Sequence, residues 1–367
     1  MRAELIPLNE LTDRQLGAWR DLADRAVEGN PFLEPDFVTA AAAGLEQEVA
    51  LLVASDANGW AGCLPIRRNW RWHALPVPCL SQWLHIYCFL GTPLVLAERA
   101  PQALAAMIDA VTRERRVGLM ALEWISDDGP VATALHEALE ARATRAVAYE
   151  RFERAAIRRR PESTYFENMS GKRRKKLRRL TEVMEEDTGA PLVIVDRAGQ
   201  DDAYDEFLRF EASGWKGEGG TALASSPAHA TFFRQICRSF AARGKLQLIA
   251  LTVGERTAAM TCNLVGGDCV FCFKIAHDER LAQYSPGVQL MVRPSLWFHD
   301  LADATLLDSC AVPDNEMVNR LWPDRRALAT VVIPTGGFLG RRSHATLSAL
   351  VRAEARVGKA RASVEHP

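Results

Sequence analysis

The sequence predicts an α+β protein of two domains. Three observations carry this. Helical and strand-like segments interleave along all 367 residues, too many for one ordinary core and about right for two. The strand-like runs are joined by short turns, which indicates antiparallel meanders rather than a doubly wound parallel sheet. Both halves also run through helices, a strand–turn–strand and a further helix, with LLVASDANGWAGCLPI and LIALTVGERTAAMTCNLV at the same relative place. The two stretches share no visible identity, so duplication rests on order alone.

Taken in order, residues 12–27 have helical periodicity behind an N-cap threonine. Residues 48–54 and 60–66 read as a hairpin turning at DANG, and 67–90 is a Pro- and Trp-rich region. A helix with proline near its start covers 101–115, a strand 118–124, a helix 130–143 and a strand 146–155. RRRPES (158–163) reads as a boundary. The expected organisation is therefore 1–157, 158–339, and a helix and tail over 340–367. The second half gives a long helix over 163–188, a strand at 191–195 and helices at 201–215 and 227–243. Three strands come next (LQLIALTV, TAAMTCNLV, CVFCFKIA) with turns at GER and GGD, then a helix after SPG and strands near 304–307 and 328–333.

Lys plus Arg (45) almost cancels Asp plus Glu (46), so any anion binding is local rather than global. Glu4 interrupts the first residues and no apolar run reaches about 20 residues. The chain is expected in the cytoplasm. Cys269 and Cys272 form a CxxC with no second pair at zinc spacing, so the eight cysteines read as small buried hydrophobes and no metal is expected. Trp70, Trp72 and Trp83 beside Arg67, Arg68 and Arg71 suit a membrane surface or a nucleic-acid strand, or else a loop packing its tryptophans between the halves.

SGKRRKKLRRLTEVMEED (170–187) carries seven basic residues in the eight from Lys172 to Arg179. On one continuous helix, Phe166, Met169, Leu177, Leu180 and Met184 form an apolar stripe. Lys175, Arg178 and Arg179 fall on the solvated side. Arg173 falls in the stripe, where a guanidinium needs a partner or a polar cleft. A helix that starts later, near Ser170, removes that requirement.

Several stretches then resemble a known family. They are RRKKLRRL (173–180), EASGWKGEGGTAL (211–223), FKIAHDERLAQYSPGVQL (273–290) and 321–325, with NPFLEPDF (30–37) and FLGTPLV (89–95) in the first half. Together they resemble the GNAT superfamily of N-acyltransferases, more narrowly its CelD-like branch, the cellulose biosynthesis type, which is distantly related to the Fem-type transferases. The resemblance implies tandem GNAT-like domains, acyl-CoA or acetyl-CoA as co-substrate, and an acyltransferase of groups other than aminoacyl groups. It departs from the usual pyrophosphate loop, Gln/Arg-x-x-Gly-x-Gly/Ala, because Tyr284 and Gln289 stand at the first and last places.

Acyl transfer to an amine needs a base, a stabilised oxyanion and a proton for the leaving thiolate. The candidate bases are Asp278, His277 and Glu211, and Tyr284 is the candidate acid. Strict alternation puts Phe271, Phe273 and Ile275 on one strand face and Cys272, Lys274 and Ala276 on the other. Lys274 then has three readings: partner of an acid, contact to a phosphate, or polariser of a carbonyl. Ser285 suits an N-cap and Pro286 the first helical turn. Gly287, Val288 and Gln289 would turn their N–H groups to an anion. Arg173, Trp215 and Lys216 are candidate substrate contacts, the last two opening into the GEGGTAL loop.

The acceptor is expected to be a small or lipid-like amine, an envelope or polysaccharide precursor. DNA is not expected, peripheral membrane contact stays open, and the near-neutral charge counts against tRNA without excluding it. The alternatives are an aminoacyl-tRNA-dependent Fem-like transferase and a non-catalytic polysaccharide-assembly factor.

Overall fold

The computed structural model describes residues 1–335 apart from 74, 115, 162–164, 166–168, 215–216, 218 and 295–296. The expected helix and tail over 340–367 lie outside the described residues. The chain divides into two compact units. One comprises Met1–Leu33, Glu48–Phe152 and the stretch from Ala327; the other comprises Glu34–Gln47 and Glu153–Arg326.

In the first unit the strands run in the order β1 (Arg2–Pro7), β2 (Ala50–Asp56), β3 (Gly59–Asn69), β4 (Cys79–Gln82), β6 (Leu119–Ser126) and the later residues of β13 (Asp324–Pro334). A short β5 (Leu94–Val95) pairs with β3. All these pairs are antiparallel except β4 with β6, which run parallel over Cys79–Ser81. Helix α1 (Asp13–Arg25) starts at a capping box: Thr12 Oγ1 accepts the Gln15 N–H and Gln15 Oε1 accepts the Thr12 N–H. Its buried residues are Trp19, Leu22 and Ala23, spaced three and one apart on a single stripe. Helices α3 (Ala100–Arg113) and α4 (Pro130–Glu140) both open with proline in the first turn. Trp72 and Trp83 are buried, Trp72 against Tyr149 and Trp83 against His85, whereas Trp70 is exposed.

The second unit repeats the plan. From β7 (Val147–Arg158), the order is β12 (Leu306–Asp308), β11 (Cys269–His277), β10 (Arg256–Gly266), β9 (Leu246–Val253) and β8 (Leu192–Asp196). Among these described pairs only β11 with β12 is parallel. Helices α2 (Pro35–Gly44), α6 (Asp201–Ser213) and α7 (Pro227–Ala242) pack together, and Phe37 meets both Phe232 of α7 and Phe273 of β11. A separate core joins Met184 of α5 (Gly171–Thr188) and Leu290 of α8 (Pro286–Met291) to Ile249, Leu251, Trp297 and Trp322. With helices on both faces, seven of the eight residues of β9 are buried, so LQLIALTV reads as a nearly continuous apolar run.

One buried ion network anchors the end of β12. Arg154 grips Asp308 through Nε and Nη2, both at 2.7 Å, and Arg326 Nη1 adds a 2.9 Å bond. Burial raises the Asp308 carboxyl, but the two guanidiniums and the Cys310 N–H outweigh it and hold the group below its ordinary range.

The long basic helix starts later than 163. Its first residue is Gly171, with Ser170 as N-cap accepting the Arg173 N–H. Among the described residues no helix is long and apolar enough to cross a membrane. All eight cysteines are buried and unbridged, and burial pushes the Cys269 thiol up to about 12, which leaves it no thiolate character at neutral pH.

Candidate active site

Among the described strand pairs, each unit shows one parallel pair, and the two differ in how the strand edge continues past the paired residues. In the first unit, β4 and β6 pair over Cys79–Ser81, and beyond that point the β6 edge is taken up locally. Glu123 N–H donates to Gln82 Oε1 at 3.2 Å, and Gly91 N–H donates to Trp124 O at 2.9 Å. In the second unit, β11 and β12 pair over Cys269–Phe271 only. From Cys272 to His277 the described residues pair β11 with β10 alone. That free edge leads to Lys274, His277 and the start of α8.

Lys274 owes its direction to a bulge. Cys262 pairs with Lys274 and the next residue, Asn263, pairs with Cys272, so Phe273 is an extra residue on β11. Strict alternation therefore fails here. Cys272 and Ile275, expected on opposite faces, share the core that holds Leu290 and Trp297. Phe273 turns to Phe37, and Lys274 Nζ comes within 3.6 Å of Glu211 Oε1 on α6. Glu211 is 3% exposed, and its other oxygen accepts the Leu223 N–H at 2.8 Å, closing the loop after α6 back onto the helix.

His277 ends β11 half-buried. Its Nε2 lies 3.4 Å from Glu279 Oε1, and its Nδ1 would sit 3.9 Å from a Cβ added at Gly287. Glu279 Oε1 also lies against Gly214, where an added Cβ would stand 2.6 Å away. Glu211, Lys274, His277 and Gly287 are thus linked through α6, β11 and the start of α8.

Asp278 and Tyr284 are engaged elsewhere. Asp278 Oδ1 accepts the Arg280 N–H, and the carboxylate is gripped by the Arg256 and Arg280 guanidiniums at 2.9–3.1 Å. Burial raises its pKa, but these bonds prevail and hold it at about 2. Tyr284 Oη donates to Asp187 Oδ2 at 2.6 Å, and that bond raises the phenol above its ordinary value.

The α8 start differs from a side-chain-capped helix. Ser285 takes φ 53°, and its hydroxyl makes no capping bond. Gln289 N–H bonds back to Ser285 O, which leaves the first-turn N–H groups of Gly287 and Val288 beyond the reach of intrahelical acceptors. The Gln289 side chain, fully buried, donates to Tyr284 O at 3.0 Å and accepts from Thr181 Oγ1 at 2.6 Å. The residue that departs from the expected loop is an internal strut between α8 and α5.

Arg173 occupies the third residue of α5. It is half-exposed, and its Nη1 donates to Arg320 O at 3.1 Å. The late helix start removes the stripe position that suggested a cleft. Trp215 and Lys216 lie outside the described residues. Sequence reasoning missed Arg256 and Arg280, whose pairing with Asp278 depends on a strand partner, and Asn263, fully buried beside the bulge with Nδ2 unpartnered.

Residues 171–294 match the family model described as an acetyltransferase (GNAT) domain. That stretch contains Glu211, Lys274, His277 and the α8 start. Among solved structures, FemX is similar with a TM-score of 0.58 at 9% identity, over 91% of this chain and 97% of that one. A C-terminal domain of a putative lysylphosphatidylglycerol synthetase from Agrobacterium fabrum gives 0.55 at 11%, over 90% and 94%. A conserved protein of unknown function from Bacteroides thetaiotaomicron VPI-5482 gives 0.54 at 11%, over 89% and 98%. At such identities the likeness is one of fold. No curated protein matches in sequence.

Proposed function

We propose that this protein is an N-acyltransferase moving an acyl group from acyl-CoA to an amine of an envelope, polysaccharide or lipid precursor. The observation that carries the reading is the free β11 edge beyond Phe271, with Lys274 and Glu211 paired beside it and Gly287 at its end. An extended pantetheine arm suits such an edge, where backbone N–H and C=O groups lack a strand partner. The fold does not require glycine at 287: a Cβ there meets only Ile275 at 3.7 Å and His277 at 3.9 Å. A closely approaching pyrophosphate does favour it, and would be held by the Gly287 and Val288 N–H groups.

In this reading Lys274 polarises the thioester carbonyl and stabilises the oxyanion, while Glu211 fixes the lysine in place. His277 takes the proton from the attacking amine. Asp278, held at about 2, is too weak a base for that step. The acceptor is proposed to be of the cellulose or other polysaccharide type, on the CelD-like resemblance alone. Thermal melting with CoA and acetyl-CoA tests the donor: both should raise the midpoint. Absence of a shift, together with no transfer of labelled acetyl groups to any amine offered, would sink the reading.

A second reading, aminoacyl transfer from tRNA, draws on a specific observation. Lys172, Lys175, Lys176 and Arg178 of α5 have no hydrogen-bond or ion-pair partner among the described residues. FemX and the lysylphosphatidylglycerol synthetase domain are among the structural neighbours. Salt-dependent tRNA binding lost on reversing Lys175 and Arg178 would favour it over acyl-CoA.

A further inference from the structure

The second unit holds a pocket of about 480 Å³ on α5 and the residues just after α8. Arg178 and Arg293 line it, and Leu177 and Val292 give it apolar wall. Arg178 is exposed and bonds to no described residue. Arg293 is partly buried, and its guanidinium has only neutral acceptors: Nη1 donates to Gln289 O at 2.7 Å and Nη2 to Thr181 Oγ1 at 2.8 Å. Neither carboxylate on the pocket hydrogen-bonds to Arg293 among the described residues, although Glu185 is close enough to favour its charge. Glu185 Oε1 accepts the Leu192 N–H at 2.8 Å, and Glu182 lies 3.7 Å from Arg179. Burial disfavours the Arg293 charge more than the nearby Glu185 carboxylate supports it, and Arg178, bonded to no described residue, adds a second cation to the same pocket.

We propose that this pocket binds a phosphate ester, its dianion taken by Arg178 and Arg293 and its organic group by the apolar wall. Guanidinium forks match phosphate oxygens in geometry and charge. The site is distinct from the α8 start. Val292 and Arg293 lie past the far end of that helix, which at six residues is roughly 9 Å long. The proposal goes beyond acyl transfer and does not depend on it, because its test reads binding without donor or turnover.

The experiment is calorimetric titration of the full chain with two probes, uridine diphosphate and monomeric dihexanoyl phosphatidic acid. Each is measured on wild type, Arg178→Glu and Arg293→Met. Binding of either probe, weakened about tenfold or more in Arg178→Glu, supports the site. The probe that binds tells a soluble phosphate from a lipid headgroup. Arg178 is exposed, so its reversal leaves the core intact even if Arg293→Met fails to fold. A CoA-induced melting shift unchanged in Arg178→Glu further separates this pocket from the donor site. Binding of neither probe, or equal binding by wild type and Arg178→Glu, overturns the proposal.

Discussion

Lys274 Nζ stands 3.6 Å from Glu211 Oε1, and the carboxylate is the deeper partner, its side chain 1% exposed against 14% for the lysine. The two halves of the pair should therefore respond unequally to substitution. Lys274→Met takes the paired cation away from a buried carboxylate and should cost about 3 kcal/mol. Glu211→Gln keeps an acceptor for the Leu223 N–H, and the long lysine stem can carry its charge toward water, so the loss should be nearer about 1 kcal/mol. Urea unfolding of both variants checks the order. The catalytic reading adds that Lys274→Met lowers kcat far more than it raises KM for the donor.

Asp278 should make the protein acid-sensitive in a defined window. Its folded pKa of about 2 lies below the ordinary 3.8, so the group binds protons more weakly in the folded chain. Its contribution is fully present above the unfolded value and is lost as pH falls from about 4 through 2. The shift corresponds to roughly 2 kcal/mol. Urea midpoints from pH 5 to pH 2 should fall more steeply in wild type than in Asp278→Asn. Parallel curves would mean that Arg256 and Arg280 do not hold the carboxylate in solution.

Much of the fold is legible because its signals are local. Thr12 and Gln15 announce α1 within four residues, and the proline starts of α3 and α4 do the same. The turns at GER and GGD fix the β9–β10–β11 meander. The hidden features depend on partners distant in sequence. The bulge at Phe273 exists only in register with Cys262 and Asn263, so alternation along β11 alone assigns Cys272 and Ile275 to opposite faces although they share one core. Arg173 misleads because periodicity extends smoothly past Ser170, where the cap ends the helix. Gln289 looks like a defect in a phosphate loop, since nothing in its neighbourhood reveals Thr181 across the gap.

Gly287 offers a substitution that separates ligand from fold. Its added methyl would make only ordinary contacts, at 3.7 Å and 3.9 Å, so Gly287→Ala should leave the urea midpoint within about 0.5 kcal/mol of wild type. The same methyl stands at the N–H groups proposed to hold the donor pyrophosphate. The CoA-induced melting shift should shrink markedly in this variant. An unchanged shift would remove the α8 start from the donor site while leaving Lys274 and Glu211 to be judged separately.

The contrast between the two parallel pairs predicts one donor per chain. In the first unit the β6 edge is already bonded, at Glu123 to Gln82 and at Trp124 to Gly91, where the second unit leaves β11 free. An acyl-CoA arm entering beside β6 would have to displace these bonds and the backbone at Gly91. That backbone is held tightly: a Cβ at Gly91 would lie 1.9 Å from Glu123 O and 2.2 Å from Gln82 Nε2. Gly91→Ala should therefore cost about 3 kcal/mol or more through overpacking. Calorimetric titration of wild type with CoA should give one site per chain, and Gly287→Ala should weaken that single isotherm. Two sites, one of them surviving in Gly287→Ala, would show that the first unit also takes donor.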